Sequence, residues 1–293
     1  MATSLATLLG DHATTRPLKR GDITSPELTL DFADVKVPNT AFKRAVRDLE
    51  FDVTELAIVT LLMARSRGVP LTLLPVVVMA RFQHPFLVHD KTRGTLTPMD
   101  LEGRHVVVRS WSVTTAMWLR DTLAREHGVD LGRIRWSTLE DAHVAGWSDP
   151  PGIERLPPGT DPIALLKSGA ADAAIVGALP GDPAIRPVIA DPDAAAERWR
   201  QTNGAIQVNH VVAVKTDLCR KFPDTVRRLY RLFVESRNLA IYENPGAGDL
   251  APIGRTSIRR SLEVAIDATA RQGLIPARLT VDELYDQLPD GVG

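Results

Sequence analysis

Short apolar runs alternate along this chain with stretches in which apolar residues recur at helical spacing. The apolar runs predict strands at residues 5–9, 51–55, 71–79, 105–109, 134–136, 171–178 and 209–217, with extended chain at 28–37. The helical spacing predicts helices at residues 40–49, 56–66, 112–127, 223–243 and 257–272, and a helical turn at 98–101. This alternation indicates an α/β protein whose sheets are mainly parallel and flanked by helices.

Polar residues and glycines mark the ends of several predicted helices. Asn39 or Thr40 is expected to cap helix 40–49, and Thr280 to cap a last short helix. Gly68 and Gly128 stand where the helices before them should stop. These signals set most of the predicted boundaries.

The order of the predicted elements indicates two lobes. The first is expected to contain residues 1–89 and 211–293, and the second residues 90–210, so that the chain crosses between them twice. Such a pair of lobes places a ligand cleft between them. Ligands of open α/β sheets lie beyond the carboxyl ends of the strands.

That rule selects polar residues that follow predicted strands. They are residues 11–16, Glu55, residues 81–84, residues 110–115, Gly177, Asn209 and His210. Glu55 stands out because it interrupts the apolar run FDVTELAIVTLLMARSRG, and a buried carboxylate needs a partner, a ligand or a proton. Placing a strand at 51–55 and a helix from 56 onward puts Glu55 at the rim of the cleft.

Composition excludes several classes of function. Thirty-five Lys and Arg against 36 Asp and Glu give a net charge of −1, which argues against nucleic acid as a partner. The single cysteine, Cys219, excludes an internal disulfide and a multi-cysteine zinc site. No apolar segment is long enough for a membrane span or a signal peptide, so no membrane association and a cytoplasmic location are expected.

Several motifs together resemble the 4,5-dihydroxyphthalate decarboxylase family. They are FDVTELAIVTLLMARSRG, LEGRHVVV followed by VTTAMWLR, RWSTLE, NHVVAVKTD and RQGLIPARLTVDEL. The first is the most specific, and the resemblance extends over about residues 10–284. It implies a type 2 periplasmic-binding-protein fold and the cofactor-independent decarboxylation of a hydroxylated aromatic carboxylate.

Decarboxylation of such a ring needs a general acid and a partner for the hydroxyl. Glu55 is the first candidate, as an acid with a raised pKa or as a hydrogen-bond acceptor; alternatively it is a structural partner of an arginine, Arg16, Arg65 or Arg81. His210 and His84 are candidates for moving a proton, although a histidine on a strand is more often structural. For His210 the resemblance adds weight, since the family has a histidine at the start of this strand.

Other side chains are candidates for binding the substrate. Arg16 and Arg81 suit a carboxylate clamp, although Arg81 is as well explained by a solvated surface position. Ser110 and Thr114 lie where a helix begins, which favours an anion but equally ordinary capping by Ser110 or Ser112. Trp111 is a candidate for stacking on an aromatic ring. His12 and Asn209 complete the set.

No cofactor and no metal are expected. The chain lacks nucleotide-binding glycine loops and closely spaced histidine pairs, so a metal site would have to combine distant residues such as His12, Glu55, His84 and His210. The competing hypothesis is a solute-binding protein for a small aromatic or carboxylate anion, which would use the same fold without chemistry. A second copy of the chain, in a homo-oligomer, is the remaining partner considered.

Overall fold

The computed structural model describes residues 3–293, and these form two compact units. One unit contains the described residues up to Arg81 together with Val208–Gly293, and the other is Phe82–Gln207. The boundaries therefore lie at 81/82 and 207/208 rather than at the predicted 89/90 and 210/211. The reason is strand pairing, because residues 87–90 pair within the second unit and residues 208–210 within the first.

The strands and helices are numbered here in chain order. The strands are β1 (Thr3–Leu8), β2 (Leu28–Phe32), β3 (Val53–Ala57), β4 (Leu71–Ala80), β5 (Leu87–Asp90), β6 (His105–Val108), β7 (Arg135–Thr138), β8 (Glu154–Arg155), β9 (Ala173–Ile175), β10 (Ile185–Pro187) and β11 (Val208–Lys215). The α-helices are α1 (Arg16–Arg20), α2 (Phe42–Arg47), α3 (Ile58–Arg65), α4 (Thr114–Glu126), α5 (Pro162–Ser168), α6 (Pro192–Asn203), α7 (Thr216–Lys221), α8 (Pro223–Glu243), α9 (Arg255–Arg271) and α10 (Val281–Leu284). Short 3-10 segments lie at Pro38–Ala41, His84–Phe86, Lys91–Arg93, Pro98–Leu101, Leu131–Arg133 and Pro245–Gly248.

Each unit contains one sheet. The first has the strand order β2-β1-β3-β11-β4, and the second β10-β5-β9-β6-β7-β8. In the first, β1 runs parallel to β2 and β3, while β11 is antiparallel to β3 and β4. In the second, β5 is antiparallel to β9 and β10. The α/β class with mainly parallel sheets is confirmed, and each sheet is mixed only because one strand, β11 in the first and β5 in the second, runs opposite to all the others.

Several boundaries differ from the sequence prediction. The predicted strand at 51–55 is β3, Val53–Ala57, so the change to helix comes after Ala57 rather than after Glu55. The predicted helix at 40–49 begins as the 3-10 segment Pro38–Ala41, which places Asn39 and Thr40 inside the turn instead of at a cap. The predicted strand at 209–217 ends at Lys215 because α7 begins at the next residue. The helices α1, α5, α6 and α7 were missed.

The core around β3 explains why this segment is so apolar. All five residues of β3 are buried, and so are the residues of α3 from Ile58 to Ala64. Gly68 follows with φ of +75°, the left-handed conformation that ends the helical segment. Across residues 3–293, the structure contains no helix that combines the length and the apolar character needed to span a membrane.

Candidate active site around Glu55

Glu55 lies in the middle of β3 and is completely buried. It pairs in register with Val212 on β11, while Ala57 pairs with His210. Residues two apart on a strand share a face, so Glu55 and His210 are diagonal neighbours on the same side of the sheet. Glu55 is thus an internal strand residue, and the predicted position at a strand end is wrong by two residues.

The Glu55 carboxylate accepts three hydrogen bonds. The backbone N–H of Gly10 donates to Oε2 at 2.6 Å. Nε2 of His12 lies 2.9 Å from Oε1, and Nδ1 of His210 lies 2.5 Å from the same oxygen. An ionised carboxylate only accepts hydrogen bonds, which assigns the hydrogen to Nε2 of His12 and to Nδ1 of His210.

In a neutral ring, this assignment leaves the other nitrogen without a hydrogen, as an acceptor. Within residues 3–293, neither Nδ1 of His12 nor Nε2 of His210 has a hydrogen-bond partner. The two side chains are 20% and 15% exposed, whereas that of Glu55 is fully covered. The exposed part of this cluster is therefore imidazole, and the carboxylate lies behind the two rings.

The electrostatics of Glu55 differ from the sequence prediction. Burial alone would raise the pKa of this carboxyl group, but the hydrogen bonds and charge of His12 and His210 outweigh burial and hold the pKa far below its usual value. Glu55 is therefore a carboxylate at neutral pH. The predicted raised pKa is wrong, and any proton that this site delivers has to come from an imidazole.

The loop after β1 is held in place by buried and partly buried hydrogen bonds. The hydroxyl of Thr15 donates to the carbonyl of Gly10 at 2.7 Å and accepts from the backbone N–H of His12 at 3.0 Å. Lys19 Nζ donates to the carbonyl of Leu9 at 2.8 Å. These contacts fix the two residues of the loop that bind Glu55.

Close packing also limits the composition of the site. A Cβ atom on Gly10 would lie 2.7 Å from Nε2 of His12 and 2.9 Å from Oε2 of Glu55, so a larger residue there would displace these two side chains from their present positions. The buried ring of Phe42 packs edge-on against His210, with centroids 5.3 Å apart. Sequence reasoning selected Thr15 within residues 11–16 but missed Gly10 and Phe42. The only signal for Gly10 was its position directly after a predicted strand.

The arginines proposed as partners of Glu55 lie elsewhere. Arg16 is half-exposed and pairs with Asp11 at 2.9 Å, and Arg65 donates to Asp286 at 2.7 Å. Arg81 follows β4 directly, and burial lowers the pKa of its guanidinium. In the described part of the chain, the hydrogen bonds of Glu55 come from Gly10 and the two histidines, so the arginine alternative is not observed.

His84 belongs to the second unit and is completely buried. Among residues 3–293 neither ring nitrogen has a hydrogen-bond partner, and Oε1 of Glu126 lies 4.0 Å from Nε2. Burial lowers the pKa of His84 to about 4, so the ring is neutral at pH 7. A ligand could reach this ring only after a local rearrangement.

The remaining candidates are also buried. Ser110, Trp111 and Thr114 belong to the second unit, and the Arg120 guanidinium stacks on the Trp111 ring at 3.8 Å, which covers one face of the indole. The residue that precedes α4 is Val113, without a side-chain cap, so the expected cap is not formed by a serine. Asn209 neighbours His210 on β11 and therefore faces the other side of the sheet.

Three of the four dispersed residues considered for a metal do come together. The ligand atoms of His12, Glu55 and His210 lie within 4.8 Å of one another. No other group of three or more His, Cys, Asp or Glu side chains in residues 3–293 comes as close. Chemically, this arrangement can move protons between imidazoles and a ligand, or hold a divalent ion.

Comparison with known sequences confirms the resemblance to the decarboxylases. The chain is 26% identical over 256 residues to a 4,5-dihydroxyphthalate decarboxylase of Comamonas testosteroni, covering 81% of this chain and 76% of that protein. It is 26% identical over 216 residues to the protein of the same name from Pseudomonas putida, covering 67% and 81%. No family model matches the chain.

Comparison with solved structures confirms the periplasmic-binding-protein-like fold. The periplasmic aliphatic sulphonate binding protein SsuA from Escherichia coli matches with a TM-score of 0.64 at 13% identity, over 98% of this chain and 99% of that one. The desulfurization enzyme DSZB matches with a TM-score of 0.59 at 14% identity, over 98% and 96%. The fold thus occurs in both a binding protein and an enzyme, and the choice between these functions depends on the site.

Proposed function

We propose that this protein catalyses the cofactor-independent decarboxylation of a hydroxylated aromatic carboxylate related to 4,5-dihydroxyphthalate. The observation that carries the proposal is the buried Glu55 carboxylate bonded to the rings of His12 and His210, whose outer nitrogens are left for a ligand. The similarity to two decarboxylases indicates the substrate class.

The reaction begins with proton transfer to carbon. Protonated His210 donates from Nε2 to the ring carbon that bears the carboxylate, while neutral His12 accepts the proton of a ring hydroxyl at Nδ1. The product of this step is a non-aromatic ketone that still carries the carboxylate. Glu55 stabilises the imidazolium before transfer and keeps each ring in the required tautomer.

The second step restores the aromatic ring. The bond between the ring carbon and the carboxylate breaks, CO2 leaves, and the electron pair returns to the ring. His12 gives its proton back to the oxygen, and His210 regains a proton from solvent. The net reaction consumes one proton and exchanges the carboxylate for hydrogen, with no change in oxidation state that would require a redox cofactor.

The other candidate residues are assigned mainly to substrate binding in this proposal. Arg16 and Arg81 remain predicted contacts for a second carboxylate, and Ser110, Trp111, Thr114 and Asn209 remain predicted binding residues. His84 likewise remains a predicted proton-transfer residue, and a substrate would reach its buried ring only after a local rearrangement.

The test is a panel of hydroxyphthalates and related aromatic acids added to the purified protein, with CO2 release and thermal stabilisation measured together. Turnover of a hydroxylated acid is the expected result. Thermal stabilisation without CO2 release from any member would favour the solute-binding alternative, since ligand binding to the native state alone raises the melting temperature.

Glu55→Gln is the sharpest variant for the mechanism. Glutamine keeps the size of the side chain but cannot stabilise an imidazolium, so we expect kcat to fall by about 10²–10⁴-fold while the protein stays folded. Glu235→Gln, an exposed change on α8, is the matched control and should leave kcat unaltered. Full activity of Glu55→Gln would remove this carboxylate from the mechanism.

A further inference from the structure

The cluster of His12, Glu55 and His210 presents a ligand set that metal ions recognise. Two imidazole nitrogens and one carboxylate oxygen lie within 4.8 Å of one another. Zinc and its neighbours in the first transition series bind such mixed nitrogen and oxygen sets at about 2.0–2.2 Å. Three protein ligands leave at least one coordination position for water or another ligand.

The surroundings of Glu55 favour one particular oxygen as a ligand. The N–H of Gly10 holds Oε2 at 2.6 Å, so Oε1 is left to face the two rings. A hydrogen bond to the distal oxygen of a ligating carboxylate is the kind of contact that orients metal ligands. Phe42 restricts the ring of His210 from the other side.

We infer that His12, Glu55 and His210 also bind a divalent transition-metal ion of the zinc class, and that the bound ion inhibits the enzyme. The ion would bind Nε2 of His12 and Nδ1 of His210, the same nitrogens that now donate to Glu55. Both nitrogens already lie within 2.9 Å of Oε1, so an ion at about 2.0–2.2 Å from each ligand requires only that the rings move slightly away from that oxygen. The ion and the bridging hydrogens therefore exclude each other.

Metal binding rearranges the hydrogens on both rings. In neutral rings the hydrogen moves from Nε2 to Nδ1 of His12 and from Nδ1 to Nε2 of His210, and a ring that was protonated releases a proton to solvent. His12 then has no free nitrogen to accept a hydroxyl proton. His210 is no longer an imidazolium, so it cannot donate to carbon, and the proton transfers of the proposed reaction stop.

The metal preference follows from the ligand types. Two imidazoles favour Zn²⁺ and Co²⁺ over Mg²⁺ and Ca²⁺, which bind mainly through oxygen. Binding itself does not depend on the proposed function, whereas the inhibition rests on it. The two can therefore be measured separately.

The binding experiment uses the full-length protein after exhaustive dialysis against a chelator. Titration with ZnCl2 in a calorimeter should give one site per chain, and CoCl2 should produce the visible absorption of a nitrogen- and oxygen-ligated ion, while MgCl2 gives no heat. His12→Gln, Glu55→Gln and His210→Gln should each weaken zinc binding by at least about 100-fold. His127→Gln, which removes a histidine of the second unit, is the matched control and should bind zinc like the wild type.

Each outcome has a defined meaning. The inference is overturned if the wild-type protein has no one-to-one zinc site. It is also overturned if Glu55→Gln and His210→Gln bind zinc as strongly as the wild type. If a variant does not fold, the cobalt spectrum of the wild-type protein decides whether histidine nitrogens ligate the ion. Where turnover has been found, the chelator-treated protein should be fully active and one equivalent of Zn²⁺ should abolish CO2 release; a zinc-loaded protein with unchanged turnover contradicts the inhibition.

Discussion

At the scale of single residues, the environment of Glu55 decides the chemical role of this carboxyl group. The carboxylate is fully buried, yet its pKa is lowered, because two imidazoles and a backbone N–H stabilise the charged form. In a purely apolar pocket the same residue would be protonated. The hydrogen-bond partners of Glu55 therefore determine its role. Glu55 orients the two imidazole rings and stabilises their positive charge, while the histidines exchange protons.

Thr15 provides a test at this scale. Its buried hydroxyl connects the Gly10 carbonyl to the His12 N–H, so Thr15→Val removes two hydrogen bonds while it keeps the shape of the side chain. We expect the free energy of unfolding to fall by about 1–3 kcal/mol, measured by chemical denaturation.

Thr15→Ser is the control for this change, because serine retains the hydroxyl. Its stability should lie much closer to that of the wild type than the stability of Thr15→Val does. Equal stability of the valine and serine variants would show that the loop after β1 is held by other contacts.

At the scale of elements, the neighbours of β3 assemble the site. On one side, β1 is parallel to β3 and leads into the loop of Gly10 and His12. On the other side, β11 is antiparallel and carries His210. The hydrogen bond between His210 and Glu55 joins residues 155 positions apart, so no local pattern could have predicted it.

The N-terminal cap of α10, near the end of the chain, is a local signal that the sequence does contain. Thr280 accepts a hydrogen bond from the Glu283 N–H at 3.2 Å, and the Glu283 carboxylate accepts from the Thr280 N–H at 2.6 Å, which confirms the predicted cap of α10. Thr280→Ala should lower the free energy of unfolding by about 0.5–2 kcal/mol in chemical denaturation. Thr280→Ser should be nearly neutral, and an unaffected alanine variant would mean that the cap contributes nothing.

At the scale of the whole molecule, the two units differ in the chemistry that they bury. The first buries the ionised Glu55 among hydrogen-bond donors. The second places the partly buried Glu126 beside His84, and burial together with the nearby Asp121 raises the pKa of Glu126 to about 7, although Arg198 and Arg125 lower it in part. Glu126 is therefore a source of pH-dependent stability.

The sign of that dependence follows from the raised pKa. Because the folded protein holds the Glu126 proton more tightly than the unfolded chain does, the stabilisation is complete below pH 4.5 and is lost as the pH rises through about 7. Glu126→Gln imitates the protonated form, so at pH 8 it should be more stable than the wild type by about 1 kcal/mol, because solvent screens this partly exposed residue. Denaturation curves between pH 4 and pH 8 measure the difference.

Glu235→Gln is the matched control, since this exposed side chain on α8 should change stability by less than about 0.5 kcal/mol at every pH. The difference between Glu126→Gln and the wild type should shrink as the pH falls toward 4.5. A difference that stays constant across this range would contradict the raised pKa of Glu126.

The pattern of apolar and polar residues determined the α/β class and most of the longer elements, because periodicity and caps are local properties. Helix α8 lies at the predicted residues 223–243, and β4 differs from its prediction by one residue. The motifs pointed to the decarboxylases and to Glu55 and His210, and the position of His12 after the first predicted strand made it a separate candidate. Local patterns failed for α6, whose small and charged residues form a weak apolar stripe.

Only the tertiary structure decided what these residues form together. The antiparallel entry of β11 and the loop after β1 bring His210 and His12 to one oxygen of Glu55. This pairing depends on contacts distant in sequence, and of the two roles expected for Glu55 it favours the hydrogen-bond acceptor over the general acid. The same long-range packing buries His84 and Trp111, two candidates that the sequence could not distinguish from exposed ones.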